Sequence, residues 1–217
     1  MIDGVEVTVD REAVVVTARE PLVVLSSAVV GGGLAAARAV LNLHVPKDVE
    51  LGDLDARLDA FVRRRGVPAP WVGLLTSAWT EKAEGAEAQA HDIRAVAVVT
   101  VGLSNRVAAG VDGAAAWAPS TINTIVVVDA APEPAAMVNV IITATEVKTA
   151  LLGEAGVKRS GGLPASGTST DAVVVAATAH GRACRFGGPV SELGSVVARA
   201  VRAAMGRGIL RWLEDNA

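Results

Sequence analysis

The amino-acid sequence predicts an α+β fold: a mixed-sheet layered sandwich, two sheets flanked by helices (αββα-like). Three observations lead there. β-branched apolar runs recur along the whole chain, and most are nearly continuous, which suits strands covered on both faces. Hairpin signals come early and long crossovers come later, an order that argues against a regular βαβ array. About eight strands and four helices result, and two sheets packed face to face with helices outside would cover them all.

The elements follow in order. VEVTV (residues 5–9) and AVVVT (13–17) flank the turn Asp10-Arg11-Glu12 and predict a hairpin, with LVVLS (22–26) a further strand. Gly31-Gly32-Gly33 opens LAAARAVL, a helix-like stretch, and LNLHV returns as a strand. Residues 51–65 carry Leu54, Leu58, Phe61 and Val62 at helical spacing, ended by Gly66 and Pro68. WVGLLTS (71–77), RAVAVVTVGL (94–103) and TINTIVVVDA (121–130) are strands, and the acidic, Ala-rich stretch between the first two has no assignment. Pro132-Glu133-Pro134 starts a long helix to about Leu152, with Pro preset for a first turn. A Gly/Ser-rich loop (159–170) leads into the strand DAVVVAATA, and residues 190–213 form the last helix. Neither a repeat nor a linker is evident, so residues 1–217 are read as one domain.

Composition narrows the function. The 217 residues are 51% hydrophobic and 20% charged, enough for a sizeable core and too apolar for disorder. With no Tyr and two Phe, that core must be built from many small side chains. A formal net charge of −3 offers no electrostatic footprint for nucleic acid. The N-terminus carries acids where a secretory signal would be basic, and charges, Gly or Asn interrupt every candidate for the roughly 20-residue apolar run of a bilayer span. A cytoplasmic chain with no membrane partner is the expectation, and a homo-oligomer stays open. Cys184 alone gives neither a disulfide framework nor a thiolate metal site and is read as inert; His44, His91 and His180 are widely separated. No metal or cofactor is expected.

The candidate chemistry sits in four places. On the helix before Leu152, Asn139, Thr143 and Glu146 fall within about 60° of one another on a mostly apolar cylinder. That strip is either one solvent-facing line or an amide, a hydroxyl and a carboxylate along a cleft. Lys148 projects from the apolar face opposite Glu146; it either snorkels or is buried with a partner, where a desolvated amine suits catalysis. SGTSTD (166–171) places Gly167, Thr168, Ser169, Thr170 and Asp171 before a strand, as a plain turn or as an anion-binding concavity. Ser26, Ser27 and Gly32 belong to a strand–glycine–helix pattern without a Walker lysine, a substrate-facing loop or a packing turn. Thr76 and Ser77 end a strand, where hydroxyl nucleophiles often sit. Asn42, Asn105 and Asn123 are amides within apolar runs, each fixing a turn or binding a polar substrate group. No histidine has a visible relay partner for a catalytic triad.

Taken together, GGGLAAARAVLNLHVP, VGLLTSA, VGLSN, STINTIVVVDAAP, NVIITATEVKTALL, SGTSTDAVVVAA and FGGPVSELGSVVARAV occur in an order that resembles the adenosylcobinamide amidohydrolase family. The likeness spans Ser26 to the C-terminus and departs at Trp79, Arg106 and KRSGGLPA. It implies hydrolysis of the amide joining an aminopropanol arm to a corrin propionate, with the corrinoid as substrate and its cobalt part of that substrate. For that reaction the attacking group is Thr76, or water activated by Glu146 or Asp171, and Lys148 is a further catalytic candidate. Ser26, Ser27, Gly32, Asn42, Asn105, Asn123, Asn139 and residues 167–170 are the binding candidates, and side chains from residue 76 to residue 171 are expected to converge on one pocket roomy enough for a tetrapyrrole. A non-catalytic corrinoid carrier, or another amidase or acyltransferase on the same fold, is the alternative. A fainter similarity to self-processing aminopeptidases and ornithine acetyltransferases matches Thr76 to a nucleophile position. An unprocessed chain would then need Glu146 or Lys148 as base.

Overall fold

In the computed structural model, residues 2–47, 49, 52, 54–114 and 120–217 are described. The elements run β1 (Val5–Val9), β2 (Ala13–Ser26), β3 (Gly33–His44), α1 (Leu54–Arg65), β4 (Trp71–Thr76), β5 (Glu84–Ala90) and β6 (Ile93–Val101). Then come β7 (Arg106–Val107), β8 (Ile122–Asp129), β9 (Ala131–Pro132), α2 (Pro134–Glu154), β10 (Gly167–Thr168), β11 (Ala172–Ala177), β12 (Ala183–Cys184) and α3 (Glu192–Asp215).

The first hairpin forms as the sequence predicts, Val9 opposite Val14. Asp10 pins its turn: Oδ1 accepts the backbone N–H groups of Glu12 (2.8 Å) and Ala13 (3.0 Å), and Arg65 donates to Oδ2 at 2.6 Å. Burial alone would raise the Asp10 pKa, but these donors outweigh it and hold the carboxyl below its usual value. The runs at 13–17 and 22–26 are one strand whose ladder to β3 slips between Thr17 and Leu22, an irregularity that accommodates Pro21.

LAAARAVL is not a helix. Ala, Leu and Arg favour helix locally, yet the stretch is paired antiparallel to β2, and from Ala39 onward β3 also runs parallel to β4. Tertiary pairing overrides propensity there, leaving three α-helices among the described residues. The unassigned acidic stretch is β5, whose residues alternate between half-buried and exposed along EGAEAQA. Leu51 and Asp53, at the start of the predicted helix over 51–65, lie outside the described residues; α1 occupies the remainder.

Eight strands form one sheet in the order β4-β3-β2-β11-β8-β6-β5, with β1 also on β2. Val14, Val16, Val40, Val72 and Leu74 nevertheless share a buried cluster with Val98, Ile125, Val127, Val174 and Ala176. Strands so far apart in the sheet can meet only if its two halves face each other, so the sheet doubles over at the β2–β11 pairing. On the outside of one half, α1 packs Leu58, Phe61 and Val62 against Val15, Leu41 and Leu43. On the outside of the other, α2 and α3 cover Ala97, Val99, Val126 and Val175 with Met137, Val140, Val197 and Val201. The layers are therefore α-β-β-α, with the two expected sheets continuous at one edge. Each fully buried Val, Leu or Met is worth about 1.5–3 kcal/mol, so many small contacts replace the missing aromatics.

By length and composition α2 is long and apolar enough to cross a membrane, which corrects the expectation that no stretch qualifies. Its Ala136, Met137, Val140 and Ala144 are packed in the core beside α3.

Candidate active site

The core between the two sheet halves is apolar until its last rung, where Asn42 (β3), Thr100 (β6) and Asn123 (β8) are buried. Asn42 Nδ2 donates to Thr100 Oγ1 (2.9 Å), and Asn123 Nδ2 donates to Asn42 Oδ1 (2.8 Å) and Leu75 O (2.9 Å). Thr121 Oγ1 lies 3.2 Å from Asn123 Oδ1 and donates to Thr170 O at 2.7 Å. Three or four hydrogen bonds satisfy a buried amide. Both N–H groups of Asn123 are thereby committed to tying the layers together, so this side chain supports a pocket rather than grasping a substrate.

Above that rung opens a cavity of about 160 Å³ lined by Ser27, Thr76, Thr121, Asn123, Thr170 and Asp171 among others. Thr76 ends β4, is 1% exposed, and its Oγ1 accepts the Ala78 N–H at 3.0 Å. Thr170 Oγ1 is buried with no hydrogen-bond partner among the described residues. Ser27 Oγ accepts the Val173 N–H at 3.1 Å, fixing the end of β2 against β11.

Asp171 closes one side. Its Oδ1 accepts from Ile122 N–H (3.0 Å) and the Thr168 hydroxyl; its Oδ2 accepts from Thr168 N–H (3.0 Å) and Lys148 Nζ. Four donors fill the lone-pair sites of a carboxylate. Lys148 and Asp171 side chains are 13% and 11% exposed, so α2 is bolted to the 167–171 loop by a largely buried ion pair. Gly167 is where that pair leaves no room: a Cβ there would overlap Asp171 Oδ2 and lie 2.7 Å from Lys148 Nζ.

Other expected residues lie elsewhere. Glu146 is exposed on α2 and Asn139 is half-buried, neither lining the cavity, while Thr143 is buried and donates to Gly187 O at 3.1 Å. The helix strip is thus no cleft: it turns from packing against the 187 loop to solvent. Lys148 reaches the cavity only through Asp171. Asn105 donates to Ser169 Oγ at 2.7 Å on the surface, beside the β7–β10 pair. Ser26 Oγ accepts the Ala28 N–H at 3.4 Å and Gly32 sits hard against Ala28 O, so this segment is a packing turn. At about 160 Å³, against the roughly 300–1,000 Å³ of drug-sized ligand pockets, the cavity is too small for a tetrapyrrole.

Sequence reasoning passed over Thr100, Thr121 and Ser120; a cluster of hydroxyls where β6 ends and β8 begins was the available signal. Burial pushes the Cys184 thiol above its usual pKa, in keeping with an inert residue. Among the described residues no three His, Cys, Asp or Glu side chains gather as a metal site would require.

A four-layer α-β-β-α protein with hydroxyls and a carboxylate around a small cavity at its strand ends has the equipment of a hydrolase acting on a neutral polar bond. The model of the adenosylcobinamide amidohydrolase family matches residues 1–217, and the chain belongs to that family: it is an amidohydrolase. Among curated proteins none matches the chain. Among the solved structures that resemble it are two at 13% identity and a TM-score of 0.49 each. The PH0078 protein from Pyrococcus horikoshii OT3 aligns over 97% of this chain and 80% of its own. A Burkholderia sp. beta-aminopeptidase aligns over 93% and 79%. Likeness at that level says nothing of the reaction.

Proposed function

We propose that the chain hydrolyses the amide joining the aminopropanol arm to a corrin propionate in adenosylcobinamide, giving adenosylcobyric acid and aminopropanol. Family membership supports the reaction class. The observation that carries the site is that Thr76, Thr170 and Asp171 line one small cavity, sized for an arm and its amide while the macrocycle stays outside. The cobalt comes and leaves with the substrate.

Thr76 Oγ attacks the amide carbon, and the Ala78 N–H already aimed at that oxygen offsets its developing charge. The proton goes to Asp171, the titratable group on the cavity wall, at Oδ1; rotation of the Thr168 hydroxyl frees that lone pair. Thr170 O–H, without another partner among the described residues, donates to the carbonyl oxygen as it becomes anionic, a role worth about 2.7–4 kcal/mol per donor. Asp171 then returns the proton to the leaving nitrogen. Aminopropanol departs, an ester remains on Thr76, and water activated by the same carboxylate hydrolyses it. Lys148 is a positioning residue that holds the Asp171 carboxylate in place.

Incubating purified protein with adenosylcobinamide tests the reading, with aminopropanol followed by mass spectrometry. Wild type should release it, and Thr76→Ala should lower kcat by roughly a hundredfold or more. No release by wild type contradicts the substrate; an undiminished Thr76→Ala rate contradicts the nucleophile.

A further inference from the structure

A second cavity backs onto the same wall. Thr76 lines one cavity and Ser77, the next residue, lines the other; Thr121 and Ser120 divide in the same way. Thr76 is the last residue of β4 and Ser77 the first of the bend after it, while Ser120 and Thr121 lead into β8, so these two segments lie between the pockets and line both. The second pocket measures about 240 Å³, room for a side arm and not for a ring system of tetrapyrrole size.

Its floor holds an unmet hydrogen-bonding group. Ser77 is 9% exposed and its Oγ has no partner among the described residues. Buried hydroxyls ordinarily have one, and this one is free both to donate and to accept. Lys82 pairs with Asp215 at 2.8 Å, Arg211 shares Glu84 (2.5 Å) with Arg207 (3.0 Å), and Lys47 on the lining is exposed, so the wall carries an excess of cationic donors. A carboxamide suits such a wall, because its oxygen accepts from the cationic donors while its NH2 donates to the free Ser77 hydroxyl.

Two indoles line it. Trp79 is 55% exposed and stacks on His44, ring centres 4.7 Å apart and 15° from parallel. The His44 ring is itself fixed, because Nδ1 lies 3.0 Å from Ala78 O, which can only accept, so Nδ1 carries the proton. Trp212, half-buried, also lines the pocket, with the Arg106 guanidinium 5.7 Å from its ring centre. Rigid, half-wet aromatic faces beside a polar socket fit the apolar edge of a flat macrocycle bearing polar arms.

We propose that this second cavity seats another carboxamide arm of the corrin rim while the scissile arm enters the Thr76 cavity, which makes Ser77 and Trp79 specificity-determining residues. The inference rests on the amidohydrolase reading above. A macrocycle that fits neither cavity must lie across the segments between them, and its neighbouring arms then descend on either side.

Binding and turnover test this separately. Adenosylcobinamide is titrated into the intact protein while quenching of tryptophan fluorescence is read, the remaining three of the four tryptophans serving as reporters in Trp79→Ala. Kd and KM should each rise about tenfold in Ser77→Ala and in Trp79→Ala, with kcat within about twofold and Tm unchanged. Unchanged Kd and KM in Trp79→Ala, whose exposed side chain can be truncated without opening the core, overturn the proposal even if Ser77→Ala fails to fold. Competition by millimolar inorganic phosphate would also overturn it, by making the socket an anion site. Failure of the underlying reaction shows differently: wild type then binds the corrinoid without releasing aminopropanol, and the Kd comparison still decides whether the socket is used.

Discussion

Replacing Lys148 with Met keeps the length of the side chain and removes its charge from a largely buried pair. Asp171 Oδ2 is then left with the Thr168 N–H, while Oδ1 keeps Ile122 N–H and the Thr168 hydroxyl. Removing one partner of a fully buried pair costs about 3–5 kcal/mol. Three surviving donors and residual exposure of 13% and 11% lower that to about 2–3 kcal/mol here. For a chain of this size each kcal/mol moves Tm by about 2–4 °C, so a fall of roughly 4–12 °C is expected in calorimetry. The double variant Lys148→Met/Asp171→Asn should be at least about 1 kcal/mol more stable than the sum of the single losses predicts, because the stranded charge is gone. Strict additivity, or a Lys148→Met protein within about 0.5 kcal/mol of wild type, would refute the claim that this pair bolts α2 to the 167–171 loop.

Further outcomes follow from the same geometry. Asn123→Ala strands Asn42 Oδ1 and Leu75 O in the inter-sheet core and should cost about 2–4 kcal/mol in urea unfolding, with loss of activity as the cavity wall shifts. Glu146→Gln, on an exposed part of α2, should leave kcat/KM within about twofold of wild type. Asp10 has its native pKa held below 3.8, so it stabilises the fold above that pH and the contribution is lost as pH falls through the lowered native value. Wild type and Asp10→Asn should therefore differ in stability near neutral pH and converge in acid. A gap that widened on acidification would contradict the assignment.

Alternation and apolar runs made the layers legible in the sequence, and the Pro-led α2 and the amphipathic α3 stood out by their periodicity. LAAARAVL did not, because its residues favour helix and only pairing to β2 and β4 makes it a strand. EGAEAQA was silent since alanine and glutamate carry little strand propensity, and the edge position of β5 alone explains it. At the site, Thr76 and the 167–171 loop could be singled out because hydroxyls and glycine at strand ends carry a local signal. The partner of Lys148 could not, since Asp171 is brought to it by the crossover from α2 to β11. The polar strip on α2 misled for a related reason. Helical angle shows which residues share a face, and not whether that face meets a cleft, a neighbouring loop or water.

Acid-quenched mass spectrometry shows whether Thr76 becomes acylated during turnover. The protein is mixed with excess adenosylcobinamide, stopped during turnover and digested. The account predicts an undivided 22.0 kDa chain carrying the corrinoid acyl group, with the added mass on the peptide that contains Thr76. Steady release of aminopropanol with no adduct there, or with the adduct on another residue, would contradict it.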